Sequence, residues 1–119
     1  MTKDQMIELL TTDVRAWNKW RSENLGVVID LSGAYLKGAK LKGADLRQAN
    51  LGGAYLGGAY LHGADLRDAD MNRAHLGGAH LNCANLFNAD LRQANLINAY
   101  LGGANLRNAD FRNAIGERY

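Results

Sequence analysis

Apolar positions recur with a period of five along most of the chain. From residue 34 to residue 113 leucine returns at every fifth position, except for Met71 and Phe111, and alanine stands two places before it. Sixteen such units follow one another without a gap, and a degenerate unit at residues 29–33 precedes them. Five residues advance an α-helix by about 500°, so consecutive leucines would share no face. An unbroken strand would send alternate leucines to opposite sides. The chain must therefore turn within each unit.

Each unit is best interpreted as a short extended segment followed by a turn. Alanine and leucine are two residues apart, so in an extended segment both side chains point inward. The second residue after the leucine is Gly or Asn in most units, and both types tolerate the positive φ of a type II turn. We expect a different turn where another residue takes this position, which happens at Gln48, Asp68, Arg73, Cys83 and Gln93.

A longer period of twenty residues lies on top of the short one. When the units are arranged in fours, the residue before each central leucine falls into four columns. The columns are Asp30, Asn50, Asp70, Asp90 and Asp110 on side 1; Tyr35, Tyr55, His75 and Asn95 on side 2; Lys40, Tyr60, His80 and Tyr100 on side 3; and Asp45, Asp65, Asn85 and Asn105 on side 4. This pattern predicts a square solenoid in which like residues stack from coil to coil.

The repeated A(D/N)LXX text resembles the pentapeptide-repeat family over about 85 of the 119 residues. The resemblance implies an all-β solenoid, a right-handed quadrilateral β-helix with alanine and leucine in its core. We therefore expect about four coils over residues 29–115, preceded by a capping region at residues 1–28 and followed by a tail at residues 116–119.

The first 28 residues lack the repeat and contain both tryptophans. Thr2 and Gln5 fit a capping box, and apolar residues at helical spacing predict one α-helix from about Lys3 to about Glu23. Such a helix could cover the open end of the first coil, with Trp17 and Trp20 buried against it. The alternative is a helix that binds a partner, because tryptophan is also a frequent interface anchor.

The other end of the solenoid has no predicted cap. Either the aromatic and apolar residues near it fold over the last coil, or the open end pairs with a second copy of the chain. Relatives in the resembled family often dimerise through C-terminal coils, which implies a two-fold homodimer here. The candidate residues for this contact are Leu106, Phe111, Ile115 and Tyr119.

Charge and composition exclude several classes of partner. The net charge is +2, from 14 basic and 12 acidic residues that are closely interleaved, so no strong attraction to nucleic acid or membranes is expected. The sequence has no apolar run of the length that spans a membrane. The N-terminal residues lack the pattern of a signal peptide, and Cys83 is the single cysteine. We therefore expect a cytoplasmic protein.

The aromatic columns are the main candidate partner surface. We expect Tyr35, Tyr55 and His75 to form one stack on side 2, and Tyr60, His80 and Tyr100 to form another on side 3. These neighbouring sides could offer an aromatic platform to a protein or a sugar. The alternative is that cross-strand aromatic pairs only stabilise the sheet surface.

The remaining polar clusters do not favour catalysis or cofactor binding. His62, His80 and Cys83 lie on one side, but their spacing follows from the repeat, so no metal site is expected. On side 4, Asp45 and Asp65 lie two residues from arginines, and aspartates line side 1 beside its arginines, which favours a self-neutralising charge ladder over phosphate binding. Some relatives mimic DNA and inhibit a topoisomerase, but this chain lacks their acidic surface. The sequence therefore predicts a non-catalytic interaction or regulatory module without cofactors, or alternatively a purely structural spacer.

Overall fold

Two short helices precede a stack of square coils in the computed structural model, which describes residues 1–116. Helix α1 spans Lys3–Thr12 and helix α2 spans Val14–Glu23. Most sides of the coils pair through single-residue bridges, and only the last pairing is long enough to form strands, β1 (Asn95–Leu96) and β2 (Ile115–Gly116). The described residues extend 36 × 24 × 22 Å. Neither helix is long and apolar enough to cross a membrane.

Parallel backbone pairing joins each coil to the next. Every bridge connects a residue with the one twenty positions further on, as in Asp30 with Asn50 and Asn50 with Asp70. The N–H of Asn50 donates to the carbonyl of Ile29 at 2.8 Å, and the N–H of Leu51 donates to the carbonyl of Asp70 at 2.7 Å. The predicted period of twenty residues therefore corresponds to one complete coil.

The core is a column of alanine and leucine that runs through the middle of the coils. Every alanine and central residue from position 41 to position 96 is at most 1% exposed. Burying one leucine side chain contributes about 1.5–3 kcal/mol, and the alanines leave space for leucines from the opposite side. The core begins beneath the helices, with Met6, Leu10 and Trp17 in the same cluster.

The turns are uniform, contrary to the expectation of a second turn type. All seventeen residues at the second position after the centre have φ between 59° and 72°, including Gln48, Arg73 and Cys83. In the Gln48 turn, the N–H of Ala49 donates to the carbonyl of Leu46 at 3.1 Å, and the N–H of Gln48 donates to Arg67 of the next coil at 2.9 Å. Because the next coil fixes the direction of this N–H, stacking overrides the local preference of the residue.

The N-terminal segment is two helices, so the prediction of one continuous helix was wrong. Asp13 separates them with an extended backbone, φ −155° and ψ 94°, and its side chain accepts from the N–H of Ala16 at 3.0 Å. An aspartate that caps a new helix competes with continuation of the old one. The capping box at the start is present: Thr2 N–H donates to Gln5 Oε1 at 2.8 Å, and Gln5 N–H donates to Thr2 Oγ1 at 3.1 Å.

The tryptophans differ in their contact with the first coil. Trp17 is 0% exposed and donates its indole Nε1–H to the carbonyl of Asp45 at 2.9 Å. Trp20 is half-buried and packs beside it, with ring centroids 5.4 Å apart. Trp17 therefore closes the end of the core, whereas Trp20 shields the edge of that contact.

Polar side chains of α2 complete the backbone hydrogen bonds of the first coil. The amide of Asn18 donates to the carbonyl of Gly43 at 3.0 Å and accepts from the N–H of Asp45 at 2.7 Å, so it replaces a missing strand. The guanidinium of Arg21 donates to the carbonyls of Asp45 at 3.0 Å and Arg47 at 2.9 Å. A sheet edge that presents free N–H and C=O groups is thereby covered.

The last described coil is less protected. Leu101, Leu106 and Phe111 are half-buried, and Ile115 is 53% exposed. Within residues 1–116, the N–H groups of Leu101 and Leu106 donate to no backbone carbonyl. Tyr119, the fourth residue predicted for a dimer contact, lies outside the described residues.

Candidate functional site

Side 2 carries an exposed ladder of aromatic rings. Tyr55 and His75 stack with centroids 4.7 Å apart and an angle of 1° between the ring planes. Tyr35 joins them less regularly, 6.3 Å from Tyr55 and tilted by 40°. Tyr35 is 70% exposed and Tyr55 47% exposed, and the glycines at positions 57 and 77 leave the space beside the rings open. The three predicted residues therefore lie together at the surface.

Side 3 carries a longer aromatic ladder that includes one residue the sequence prediction omitted. His80 lies between Tyr60 and Tyr100, with centroids 4.8 Å from each and angles of 9° and 11°. His62 stacks on the same group, 5.2 Å from His80 and 6.3 Å from Tyr60. The signal for His62 is its position two residues after Tyr60, because such residues share one face of an extended segment.

The rings present their edges to solvent. Side chains in neighbouring coils point the same way, and near-parallel rings with centroids 4.8 Å apart cannot lie side by side in one plane. They must stack face against face along the axis of the coils. The ring edges are the electropositive part of an aromatic side chain, and they carry the Tyr O–H and His N–H donors. The surface is thus a set of donor-bearing edges, which does not suit a sugar or a base that needs a flat ring face.

Sides 1 and 4 are covered by aspartate–arginine pairs. On side 4, Arg47 bonds Asp45 through Nε at 2.9 Å and through its terminal nitrogen at 2.8 Å. The same two-pronged contact joins residues two apart elsewhere on these sides. The further pairs are Asp65 with Arg67, Asp90 with Arg92 and Asp110 with Arg112. These contacts form a self-neutralising charge ladder.

The arginines lower the pKa values of their partner aspartates. Burial alone would raise the pKa of Asp45, but hydrogen bonds from Arg47 and the charge of Arg21 hold it below its ordinary value. The more exposed Asp110 has a pKa of about 2, because the side chain and the N–H of Arg112 both donate to its carboxylate. These carboxylates are therefore ionised and already engaged at neutral pH.

Charge is segregated between the two halves of the solenoid, although it looks interleaved along the sequence. Sides 1 and 4 carry seven aspartates and six arginines from residue 29 to residue 113. Between residues 34 and 103, sides 2 and 3 contain no Asp, Glu or Arg; their charged residues there are Lys37, Lys40 and Lys42, accompanied by three histidines. We call sides 2 and 3, residues 34–43, 54–63, 74–83 and 94–103, the acid-free face. Its four tyrosines and three lysines are exposed to solvent.

Lysines and rings together form a shallow groove on the acid-free face. Lys40, Lys42, Tyr60 and His62 line it, and most of its lining surface is apolar. Both lysines are exposed, and no ion pair of residues 1–116 involves either one. An apolar side chain of a partner could therefore enter the groove while acidic neighbours approach the lysines.

The residues considered for metal binding do not form a ligand set. His62 and His80 are stacked on each other, and Cys83 is an exposed free thiol at a turn. Across residues 1–116, no three His, Cys, Asp or Glu side chains converge in a way that could hold a metal ion. The histidines are part of the aromatic ladder instead.

Arg21 is a buried charge that the sequence analysis did not single out. It is only 4% exposed, and Asp45 is its nearest carboxylate at 3.8 Å. Burial lowers the pKa of its guanidinium, while the neighbouring Asp45 opposes this shift. With two hydrogen bonds to first-coil carbonyls, Arg21 serves to fasten the cap rather than to bind a ligand.

Comparison with known proteins places the chain in a family. A sequence model for pentapeptide repeats matches eight copies, over residues 29–68, 45–82 and 84–115. The chain therefore belongs to the pentapeptide-repeat family. Its members are generally structural and non-catalytic. No protein among the curated sequences matches this chain significantly.

Two solved structures of pentapeptide-repeat proteins are similar to this fold. One is from the thylakoid lumen of Arabidopsis thaliana: identity is 40%, coverage is 72% of this chain and 57% of that one, and the TM-score is 0.62. The other is from Nostoc: identity is 30%, coverage is 98% of this chain and 86% of that one, and the TM-score is 0.61. The chain thus spans less than two thirds of the Arabidopsis protein. The neighbours are right-handed β-helices, which confirms the expected fold.

Proposed function

We propose that this chain is a non-catalytic module that binds and regulates a protein partner through its acid-free face. The observation that carries the proposal is the pair of exposed aromatic ladders. Tyr35, Tyr55, Tyr60 and Tyr100 are each 43–70% exposed, although none of these rings is needed to fill the core. Aromatic residues are enriched at protein interfaces, where their edges and hydroxyl groups add hydrogen bonds to apolar contact.

The test is capture of a partner with two variants, one altered in both aromatic ladders and one altered at an exposed ring outside them. Tyr55→Ala/Tyr60→Ala removes one ring from each ladder, and Phe87→Ala removes an exposed ring on side 4. We expect the wild type and Phe87→Ala to retain the same partner and the double variant to lose it. Thermal melts of all three proteins establish that the coils remain folded.

The double variant Tyr55→Phe/Tyr60→Phe separates ring contact from hydrogen bonding. It keeps both rings, so retention of the partner assigns the contact to the ring surface, whereas loss assigns it to the hydroxyl groups. If no partner is captured, the protein is better described as a structural spacer. A captured partner that is indifferent to all ring substitutions would count against the aromatic face. The proposed location is the cytoplasm, which agrees with the free thiol of Cys83 and is tested by cell fractionation.

We further propose that the chain forms a homodimer through its last coil. Two observations favour this: the N–H groups of Leu101 and Leu106 have no backbone acceptor within residues 1–116, and Ile115, at the end of the described coils, is 53% exposed. A second copy could pair with this edge and cover its apolar residues. Sedimentation at rising concentration should show a dimer that Ile115→Glu weakens. A monomer at all concentrations would refute the proposal.

A further inference from the structure

We propose that the partner of the acid-free face is an acidic protein segment that carries an apolar side chain. This inference rests on the proposed function and adds the chemistry of the partner. It begins with charge: the face combines Lys37, Lys40 and Lys42 with no carboxylate of its own, whereas the opposite half of the solenoid is neutralised by aspartate–arginine pairs. An acidic segment would meet cations that form no ion pair with any other residue of 1–116.

The position of the lysines defines where the acidic groups would lie. All three are exposed and belong to the first coil, with Lys40 and Lys42 on the same side as Tyr60 and His62. Acidic residues of the partner would therefore lie near the capped end of the solenoid. Charges of this kind increase the rate and specificity of association more than they increase affinity.

The groove indicates a second requirement. Its lining is mostly apolar, because Lys40 and Lys42 contribute their aliphatic stems and Tyr60 contributes its ring. A partner side chain such as Phe or Leu could fill it, while neighbouring carboxylates accept from the lysine Nζ groups. Further along the face, carboxylate or carbonyl oxygens could accept from the hydroxyl group of Tyr100 and the imidazole of His80.

The same features disfavour a nucleic acid. Single-stranded nucleic acids stack their bases on aromatic ring faces and follow a continuous series of cations. Here the rings cover one another, with centroids 4.7–4.8 Å apart, and the lysines are confined to one coil. On the other half, four of the six arginines, Arg47, Arg67, Arg92 and Arg112, are already held by aspartates. A protein segment therefore fits the face better than a polyanion with stacking bases.

Fluorescence anisotropy with a synthetic probe tests the inference. The probe is a labelled peptide of about twelve Asp and Glu residues with a central Phe, which extends to about 40 Å and can span the solenoid. Controls are a neutral Gln/Asn peptide with the same Phe and an oligothymidine of the same charge. We expect the acidic peptide to bind at low salt and to bind more weakly as the salt concentration rises. Both control probes should bind less tightly than the acidic peptide at low salt.

Two triple variants locate the binding. Lys37→Gln/Lys40→Gln/Lys42→Gln removes the three cations of the acid-free face. The matched control, Arg15→Gln/Lys19→Gln/Arg107→Gln, removes three exposed cations elsewhere, so both variants change the net charge equally. If each exposed charge pair contributes about twofold to affinity, the first variant should bind the acidic peptide about eightfold less tightly. The control should bind as the wild type does.

Three results would overturn the inference: no binding of the acidic peptide, equal loss in both triple variants, or binding of the oligothymidine as tight as that of the peptide. The proposed function can fail or survive independently. A native partner that depends on Tyr55 and Tyr60 but is retained by the lysine variant would support the aromatic interface while it refutes an acidic partner. Loss of that partner in the lysine variant, with retention by the matched control, supports both.

Discussion

A pair of adjacent glycines provides a direct test of the turn geometry. Gly58 has φ +65°, and a Cβ added there would meet no heavy atom within 4 Å. Gly57 lies outside the left-handed region, and a Cβ there would be 3.6 Å from the carbonyl oxygen of Gly77, an ordinary contact. The substitution Gly58→Ala therefore introduces backbone strain without a clash, and Gly57→Ala introduces neither.

The expected cost follows from two opposing contributions. A left-handed residue other than glycine costs about 1–2 kcal/mol, and replacing glycine returns about 0.4–1 kcal/mol by restricting the unfolded chain. The net destabilisation is about 1 kcal/mol for Gly58→Ala. With an unfolding entropy of about 2.1 cal/mol/K per residue, the 119 residues give about 250 cal/mol/K, so Tm should fall by about 4 °C. Gly57→Ala should leave Tm unchanged or raise it slightly.

Calorimetry of these two variants, with Gln48→Gly as a third, measures the effect. Gln48 has φ 60°, so glycine should relieve strain there and raise Tm by a similar amount. Equal Tm values for Gly57→Ala and Gly58→Ala would refute the reasoning, as would a loss of stability in Gln48→Gly. Either result would mean that a positive φ at this turn position costs no free energy once the coils are stacked.

Three further predictions concern the core, the cap and the charge ladder. Ala64→Leu should overpack a site that is 0% exposed and cost about 1–3 kcal/mol in urea unfolding, with Ala114→Leu at the half-buried last coil as a milder control. Trp17→Phe should cost about 1–3 kcal/mol, because it loses volume and the hydrogen bond to Asp45. Folding lowers the pKa of Asp110 from 3.8 to about 2, so the ionised carboxylate should contribute fully to stability above pH 4 and progressively less as the pH falls toward 2. The Tm of Asp110→Asn should therefore fall less than that of the wild type over this pH range.

The fold could be predicted from the sequence because independent local signals agree. Leucine and alanine at a period of five require one turn per unit, and the period of twenty gives each side its own column of residues. The structure pairs these columns as expected, from Asp30 with Asn50 to Asp90 with Asp110. Agreement of pattern, turn chemistry and stacking leaves few alternative folds.

The errors occurred where a local preference competed with a distant contact or with another local signal. Gln48 and Cys83 adopt positive φ because the next coil accepts their N–H groups, which the residue types alone do not indicate. Asp13 ends α1 because its carboxylate caps α2, a signal that helical periodicity obscured. Each error concerns the direction of the backbone rather than the position of the core.

The candidate surface was only partly predictable. The columns placed Tyr60, His80 and Tyr100 together, but His62 was considered only as a metal ligand and not as a member of the ladder. The edge-on orientation of the rings required side-chain geometry. Charge segregation was hidden because residues that alternate along the sequence are assigned to different sides by the fold. Net charge of the whole chain was therefore a poor guide to the charge of a surface.

The contrast between the two halves favours interaction over a spacer role. The fold constrains the inward residues, but the outward ones are free to vary as long as the solenoid stays soluble. Sides 1 and 4 meet that need with aspartate–arginine pairs such as Asp65 with Arg67, and the same residues could have been repeated on all four sides. Sides 2 and 3 instead expose rings and lysines that the core does not need. Because the backbone is equivalent on all sides, this difference calls for an explanation outside the fold, and a partner of complementary charge provides one.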